Sequence, residues 1–254
     1  MGQPLSAAEA SRASGAILAE RCSAMGRWLV ADALDMVFPP RCLCCRADLG
    51  GRIGADAPAA GRLCGPCCGA LAQAVPSASL FGRRANDRAE GVALGPYAGT
   101  LRDAVLRCKR ATNAELAIAL GVLLGERHAE RLAAWNAEVV VPVPMHWRRR
   151  WWRGSSAALL VARGVAVAAG VRVAEALVRR RATVMQNRLP VAARHGNVAG
   201  AIAVRRCLAG SRVVLVDDVV TTGATIAECR RVLLAAGAAA VFVAVVARAE
   251  AGDG

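Results

Sequence analysis

Lysine is nearly missing from this chain: among its 33 Lys and Arg residues, Lys109 is the only lysine. Aromatic residues are also scarce, at 4% of a chain that is 56% hydrophobic, so Ala, Val and Leu must build the core. The formal charge of +14 would ordinarily indicate an anionic partner. Because abundant arginine and alanine both reflect a GC-rich coding bias, that charge is weak evidence. The one retained ammonium group, however, favours a specific role for Lys109.

No stretch of the sequence predicts a membrane span or a secretory signal. The longest apolar run, residues 232–247, contains Gly237 and is typical of a helix end, a turn and a strand. The N-terminal residues lack the basic start and apolar centre of a secretory signal. We therefore expect a cytoplasmic protein.

Two common nucleotide-binding loops are absent as well. The sequence contains no Gly-x4-Gly-Lys-Ser/Thr, and no Gly-x-Gly-x-x-Gly follows a strand. A different anion-binding pattern is present at residues 213–225. There a buried strand predicted over Val213–Val216 leads into two acids, Asp217 and Asp218, then a Thr/Gly loop, and then a helix from about residue 226 to 236.

The stretch 213–225 predicts a site for a phosphorylated sugar. Helix N-termini bind anions through unpaired backbone N–H groups, and the three threonines of the loop add hydroxyl donors. The two carboxylates can accept hydrogen bonds from sugar hydroxyls. The alternative is an ordinary strand–helix turn with threonines capping the helix, but adjacent acids at a buried strand end would then only cost desolvation energy.

A second pattern is formed by cysteines. Cys42-x-x-Cys45 and Cys64-x-x-Cys67 are separated by 18 residues, a spacing typical of a four-thiolate zinc site. Disulfides are the weaker interpretation in a chain without a secretory signal. Cys44 and Cys68 adjoin the predicted ligands and leave the register open by one residue. Four thiolates close the coordination sphere, so we expect a structural site.

We divide the chain into an N-terminal amphipathic helix (1–37), a zinc module (38–72), a linker (73–91) and an α/β domain (92–254). Within the domain, predicted strands near 92–97, 139–144, 171–177, 201–204, 213–216 and 241–246 alternate with predicted helices over 101–108, 114–134, 155–169 and 226–236. This alternation predicts a mostly parallel sheet flanked by helices. Ligands of such sheets bind beyond the carboxyl ends of the strands.

The segment from His146 to Gly154 combines four arginines with three tryptophans. Three interpretations stay open. It could be a loop that binds polyphosphate, a site that holds single-stranded nucleic acid by stacking and charge, or a solvated loop whose tryptophans pack on a neighbouring module.

Taken in order, these motifs resemble the ComF/GntX family of bacterial phosphoribosyltransferase-like proteins. Residues 213–225 match the phosphoribosyl-pyrophosphate (PRPP) motif of type I phosphoribosyltransferases. The remaining matches are Phe38–Cys42, Cys45, Cys64 and Cys67, Lys109, Val141–Pro144, Arg153-Gly154, Arg179, Arg181, Thr183 and Gln186, and Arg194 with Asn197-Val198. Two positions depart from the family pattern, namely Ser155-Ser156-Ala157 in place of Phe-Asn-Gln, and Arg110-Ala111-Thr112 where a glycine usually follows the lysine.

The resemblance implies a type I phosphoribosyltransferase-like fold that binds PRPP with Mg²⁺ and transfers phosphoribose to a base or amine. It implies that Asp217 and Asp218 hold the ribose hydroxyls, and that Lys109, Arg148 and Arg149 stabilise the departing pyrophosphate. The 5′-phosphate would bind the loop formed by Val219, Val220, Thr221, Thr222, Gly223, Ala224 and Thr225. The resemblance also implies an alternative, a non-catalytic competence factor in DNA uptake that acts through single-stranded DNA or protein partners.

Overall fold

The structure is a computed structural model that describes residues 39–49, 62–72, 79–81, 89–145, 156–180 and 200–249. The predicted N-terminal helix over 1–37 and the Arg/Trp segment over 146–154 lie outside the described residues. Within the described ranges, no helix is both long enough and apolar enough to cross a bilayer.

Six helices and eight strands are described, with one 3₁₀ turn at Ala111–Asn113. The helices are α1 (Gly65–Leu71), α2 (Gly99–Cys108), α3 (Ala114–Arg127), α4 (Ala129–Ala134), α5 (Ala157–Ala169) and α6 (Ala224–Ala235). The strands are β1 (Ser79–Phe81), β2 (Ala89–Pro96), β3 (Val139–Pro142), β4 (Arg172–Val173), β5 (Leu177–Arg179), β6 (Ile202–Val204), β7 (Arg212–Val220) and β8 (Ala240–Arg248).

The predicted mostly parallel sheet is confirmed. Six strands lie in the order β1-β2-β8-β7-β3-β4, and only the β1–β2 pair is antiparallel. The central strand β7 is flanked by β8 and β3 and is buried on both faces, with Val213–Val216 at most 1% exposed. Consecutive valines form such a strand because every position faces apolar neighbours.

Three predicted elements differ from the observed ones. The predicted helix 114–134 is interrupted at His128, which separates α3 from α4. The predicted strand 171–177 is split, because β4 pairs with β3 whereas β5 pairs antiparallel with β6 in a separate two-stranded sheet. The predicted linker 73–91 contains β1 and the start of β2, so part of it belongs to the main sheet.

Alternate residues of the sheet contribute to two core clusters. One face, with Val140, Val214 and Val216, packs in one continuous cluster with α2, α3, α5 and the cysteine module, whose Cys42, Leu43 and Leu71 belong to it. The other face, with Val139, Val213 and Leu215, packs against α6 and the β5–β6 pair. This period of two is the geometry of a pleated strand.

Close backbone packing holds α3 against α5 on the first of these faces. A Cβ atom on Gly121 would lie 2.1 Å from the carbonyl oxygen of Val161, and one on Gly164 would lie 2.2 Å from that of Ile118. Only glycine fits at either position, so the two helices contact each other through their backbones.

Candidate functional site

The carboxyl end of β7 projects beyond its neighbour β3. The last residue of β3, Pro142, lies opposite Val216, and Val143 N–H donates to Val216 O at 2.8 Å. On the other side, β8 pairs with β7 as far as Val220, opposite Arg248. The strand predicted to end at Val216 therefore continues to Val220, four residues beyond its pairing with β3.

Asp217 and Asp218 lie in this projecting end and point to opposite faces of the sheet, as strand alternation requires. Asp218 shares the face of Val214 and Val216 and reaches the end of α2, where Lys109 Nζ lies 3.5 Å from Asp218 Oδ2. Burial raises the pKa of the neighbouring Cys108 thiol to about 12, and the charge of Asp218 adds to that rise.

Asp217 shares the face of Val213 and Leu215 and lies near Cys229 of α6. Burial raises the pKa of the Asp217 carboxyl well above its ordinary value, and the charge of Asp218 raises it further. Burial likewise raises the pKa of Cys229, with Asp217 contributing. The Asp218 N–H donates to Asp217 Oδ1 at 2.9 Å, so the Asp217 side chain also stabilises the backbone at Asp218.

The Thr/Gly loop connects this acid pair to the N-terminus of α6. Gly223 precedes the helix with a φ of 75°, in the left-handed region that favours glycine. This N-cap glycine has no side chain with which to accept the first N–H groups of the helix. Thr222 Oγ1 accepts a long contact of 3.5 Å from Ala224 N–H. The first backbone N–H groups of α6 thus face the loop, which is the arrangement of an anion site.

The structure brings together most of the predicted sugar-phosphate residues. Asp217, Asp218, Lys109 and the loop over 219–225 meet at one edge of the sheet. The predicted Arg148 and Arg149 lie outside the described residues, as do Arg181, Thr183, Gln186, Arg194 and Asn197.

The four predicted zinc ligands also meet. The sulfur atoms of Cys42, Cys45, Cys64 and Cys67 all lie within 4.8 Å of one another. The Cys45 and Cys64 sulfurs are 3.7 Å apart, close to the spacing of about 3.8 Å that tetrahedral zinc–sulfur geometry gives. Cys44 and Cys68 are not members of this cluster, and the geometry therefore favours the predicted register.

Backbone groups stabilise thiolate in part of the cluster. Burial opposes ionisation of Cys42, but backbone N–H groups led by that of Cys64 outweigh it and lower its pKa to about 6. Burial raises the pKa of Cys67, Cys44 and Cys68. A bound cation would favour the thiolate form at each of the four positions.

Sequence reasoning missed two residues that support the site. Arg107 of α2 donates to the carbonyl oxygens of Leu43 and Cys44 in the cysteine module. Glu228 of α6, 9% exposed, accepts the Gly200 N–H at 2.8 Å and pairs with Arg231, whose hydrogen bonds lower the pKa of this carboxyl. The spacing of Glu228 and Arg231 on one helix was a visible signal, but Arg107 offered none.

A central parallel strand that ends in two acids, followed by a Thr/Gly loop at a helix N-terminus, defines a phosphoribosyltransferase-like domain. In agreement, residues 156–254 match the family described as phosphoribosyl transferase domain.

Curated relatives of the chain indicate a family within this class of proteins. Over 156 residues the chain is 35% identical to the DNA utilization protein YhgH of Escherichia coli K12, covering 60% of this chain and 69% of that protein. It is 33% identical over the same length to the protein of that name from Salmonella typhimurium. The chain belongs to this ComF family of phosphoribosyltransferase-like proteins.

Two solved structures show partial similarity. The allosteric regulatory enzyme of purine biosynthesis is 26% identical, with a TM-score of 0.35, and the match covers 51% of this chain and 26% of that one. A purine phosphoribosyltransferase from Pyrococcus horikoshii is 17% identical, with a TM-score of 0.33, over 53% of this chain and 83% of that one.

Proposed function

We propose that the carboxyl end of β7 binds PRPP with Mg²⁺, and that the protein transfers the phosphoribosyl group to a base or amine and releases pyrophosphate. The observation that carries this proposal is the 3.5 Å approach of Lys109 Nζ to Asp218 Oδ2. It places the only lysine of the chain beside an acid pair at a strand end, next to a helix N-terminus. A phosphorylated sugar pyrophosphate requires a cation near its pyrophosphate, acceptors for its hydroxyls and an anion site for its phosphate.

Each part of PRPP has a matching group. The carboxylates of Asp217 and Asp218 accept hydrogen bonds from the ribose hydroxyls. The N–H groups that open α6, with the hydroxyls of the Thr221–Thr225 loop, bind the 5′-phosphate. When bound with PRPP, Mg²⁺ would be held on the side of the Asp217 and Asp218 carboxylates and would offset part of the negative charge of the pyrophosphate.

The transfer step breaks the bond between the anomeric carbon and the pyrophosphate oxygen, and the electron pair leaves with pyrophosphate. A nitrogen of the acceptor forms the new bond to that carbon and then loses its proton. Lys109, together with Arg148 and Arg149, stabilises the negative charge that builds on the leaving group. The positive charge on Lys109 also favours the ionised form of Asp217, against its burial.

Calorimetry of PRPP with Mg²⁺ tests the binding site. The double variant Asp217→Asn/Asp218→Asn keeps the side-chain shapes but removes both negative charges, and we expect it to abolish detectable binding. Asp103→Asn is the matched control, because Asp103 is an exposed acid of α2 with a side chain 72% exposed. Unchanged affinity in the double variant would show that the site lies elsewhere.

We assign zinc to the four-cysteine cluster, with Cys42, Cys45, Cys64 and Cys67 as its ligands. The spacing of the sulfur atoms and the all-sulfur donor set favour zinc. Four protein ligands leave no open position, so the ion would stabilise the module and take no part in transfer. A cytoplasmic location, predicted from the sequence, accords with PRPP as the ligand.

A second candidate function is contact with single-stranded DNA. The curated relatives are named DNA utilization proteins, and the described part of the chain contains a basic groove of about 610 Å³ lined by Leu159, Arg163, Val173, Glu175, Arg205 and Arg206. Three guanidinium groups against one carboxylate favour a phosphate backbone as ligand. The Arg/Trp segment over 146–154 would add stacking contacts.

Fluorescence anisotropy with a labelled single strand tests this candidate. We expect Arg205→Ala/Arg206→Ala to weaken binding and to reduce the slope of log affinity against log salt by about 0.7 per arginine. The control pair is Arg102→Ala/Arg127→Ala, two exposed arginines outside the groove. Equal losses in both pairs, or no binding at low salt, would argue against a groove-specific contact.

A further inference from the structure

The guanidinium of Arg107 binds one turn of the four-cysteine cluster. Its Nη2 donates to Leu43 O at 2.8 Å, and its Nη1 donates to Cys44 O. Leu43 and Cys44 are the two residues between the cluster members Cys42 and Cys45. A planar guanidinium reaches both carbonyls only while they point to the same side, so the contact depends on the conformation of this turn.

The backbone of Arg107 organises the loop that carries Lys109. The Arg107 carbonyl oxygen accepts the N–H of Lys109 and that of Arg110, the latter at 3.0 Å. It also accepts Asn113 Nδ2 at 3.1 Å, across the 3₁₀ turn that leads into α3. One residue therefore holds the cysteine turn with its side chain and the Lys109 loop with its backbone.

A second contact joins the module to the far end of the same loop. Arg62 Nη1 lies 2.7 Å from Glu115 Oε2 in the first turn of α3, and the Arg62 carbonyl accepts the Leu43 N–H at 3.0 Å. Both side chains of this pair are well exposed, at 41% and 63%, so it contributes little by itself. Of these two polar contacts between the module and the loop, that of the half-buried Arg107 is the better shielded from solvent.

We propose that Arg107 is a positioning residue, through which the folded four-cysteine cluster places Lys109 against Asp218. Its meaning for catalysis rests on the function proposed above, but the coupling itself requires no PRPP. When the turn over Cys42–Cys45 is distorted, its carbonyls no longer accept both donors. The end of α2 then loses this polar contact with the module, and the Lys109 ammonium separates from the carboxylate.

The only lysine of the chain gives this coupling a direct readout. Acetylation of Lys109 by an amine-selective reagent can be timed by peptide mass spectrometry, with the α-amino group read from a separate peptide. The contact with Asp218 holds the Lys109 amine, whose side chain is 35% exposed. Loss of this contact should free the amine for attack on the reagent and accelerate acetylation, by about two- to fivefold for a partly exposed pair.

We expect this acceleration in Arg107→Met, which keeps the aliphatic stem and removes the guanidinium. We expect it also in Cys42→Ser, which disrupts the cysteine turn and changes no residue of α2. Asp218→Asn should have the same effect, because it removes the carboxylate that pairs with Lys109. Arg102→Met is the matched control, because Arg102 lies on the same helix and pairs with the exposed Asp103. Circular dichroism identifies any variant that has not folded, and Arg107→Gln then replaces Arg107→Met.

If Lys109 is acetylated at the wild-type rate in folded Arg107 and Cys42 variants, the proposed coupling is wrong. Calorimetry with PRPP on the same samples separates this result from failure of the proposed function. If the wild type binds PRPP but the Arg107 variant leaves acetylation unchanged, only the coupling is wrong. If acetylation accelerates but the wild type does not bind PRPP, the coupling stands without that ligand.

Discussion

Asp217 and Asp218 are neighbours in sequence, yet their surroundings on the two faces of the sheet are different. Asp218 faces Lys109, whose ammonium lies 3.5 Å from its carboxylate, on the face that also holds the cysteine module. Asp217 faces α6 and the thiol of Cys229, and burial there opposes its ionisation. Asp218 therefore has a cation as its close partner. The pKa of Asp217, by contrast, is raised by burial and by the charge of its neighbour.

This difference indicates how the site is divided between stability and function. A compensated carboxylate costs the fold little, because its partner offsets the loss of water. A carboxylate whose pKa is raised by burial costs stability whenever it is ionised. Such a cost persists where a ligand needs the group, since strained or poorly solvated groups concentrate at functional sites. Asp217 is thus the acid that the ligand-free protein would be more stable without.

The largest effect that distinguishes the two acids is expected from Asp217→Asn. Because the folded-state pKa lies above the ordinary value of 3.8, Asp217 stabilises the fold at low pH, and that contribution is lost as pH rises through the folded-state pKa. Asparagine removes the charge and can still accept the Asp218 N–H. At pH 7 we expect Asp217→Asn to raise the free energy of unfolding by about 0.5–2 kcal/mol.

Urea unfolding from pH 3 to pH 8 measures this effect. The two proteins should have equal stability near pH 3, where Asp217 is protonated, and should diverge as pH rises. Asp218→Asn serves as the comparison and should show no such gain. If Asp217→Asn loses stability at pH 7, then burial does not dominate the energetics of this carboxyl.

Much of the site was predictable from the sequence, because it depends on local patterns. Residues 213–225 contain the signals for the strand, the acids, the loop and the helix start in one continuous run. The cysteine spacing predicts the cluster. The strand boundary at Val216 was wrong, since pairing with β8 as far as Arg248 keeps β7 extended through both acids. A boundary set by a neighbouring strand has no local signature.

Contacts between distant segments were not predictable in the same way. Arg107 binds carbonyls 63 and 64 residues earlier in the chain, and nothing in its own neighbourhood distinguishes it from the other arginines. Lys109 could be singled out only because the chain has no other lysine, and its partner became visible once α2 was placed against the end of β7. The split of the predicted strand 171–177 has the same origin, because pairing with β6 draws β5 away from the main sheet.

The smallest effect is expected from breaking the pair on the other face. Lys109 and Asp218 are 35% and 20% exposed, so solvent and salt screen their attraction. A double-mutant cycle with Lys109→Met and Asp218→Asn should give a coupling free energy of about 0.2–1 kcal/mol in low salt. Urea unfolding of the four proteins measures it, and the coupling should shrink toward zero in about 1 M salt. A coupling that persists unchanged at high salt would mean that the pair is sheltered from solvent, and the contrast between the two acids would then rest on burial for both of them. A coupling that follows salt as expected leaves Asp218 and Lys109 weakly bound to each other and easily separated, as the proposed binding of PRPP at these two groups requires.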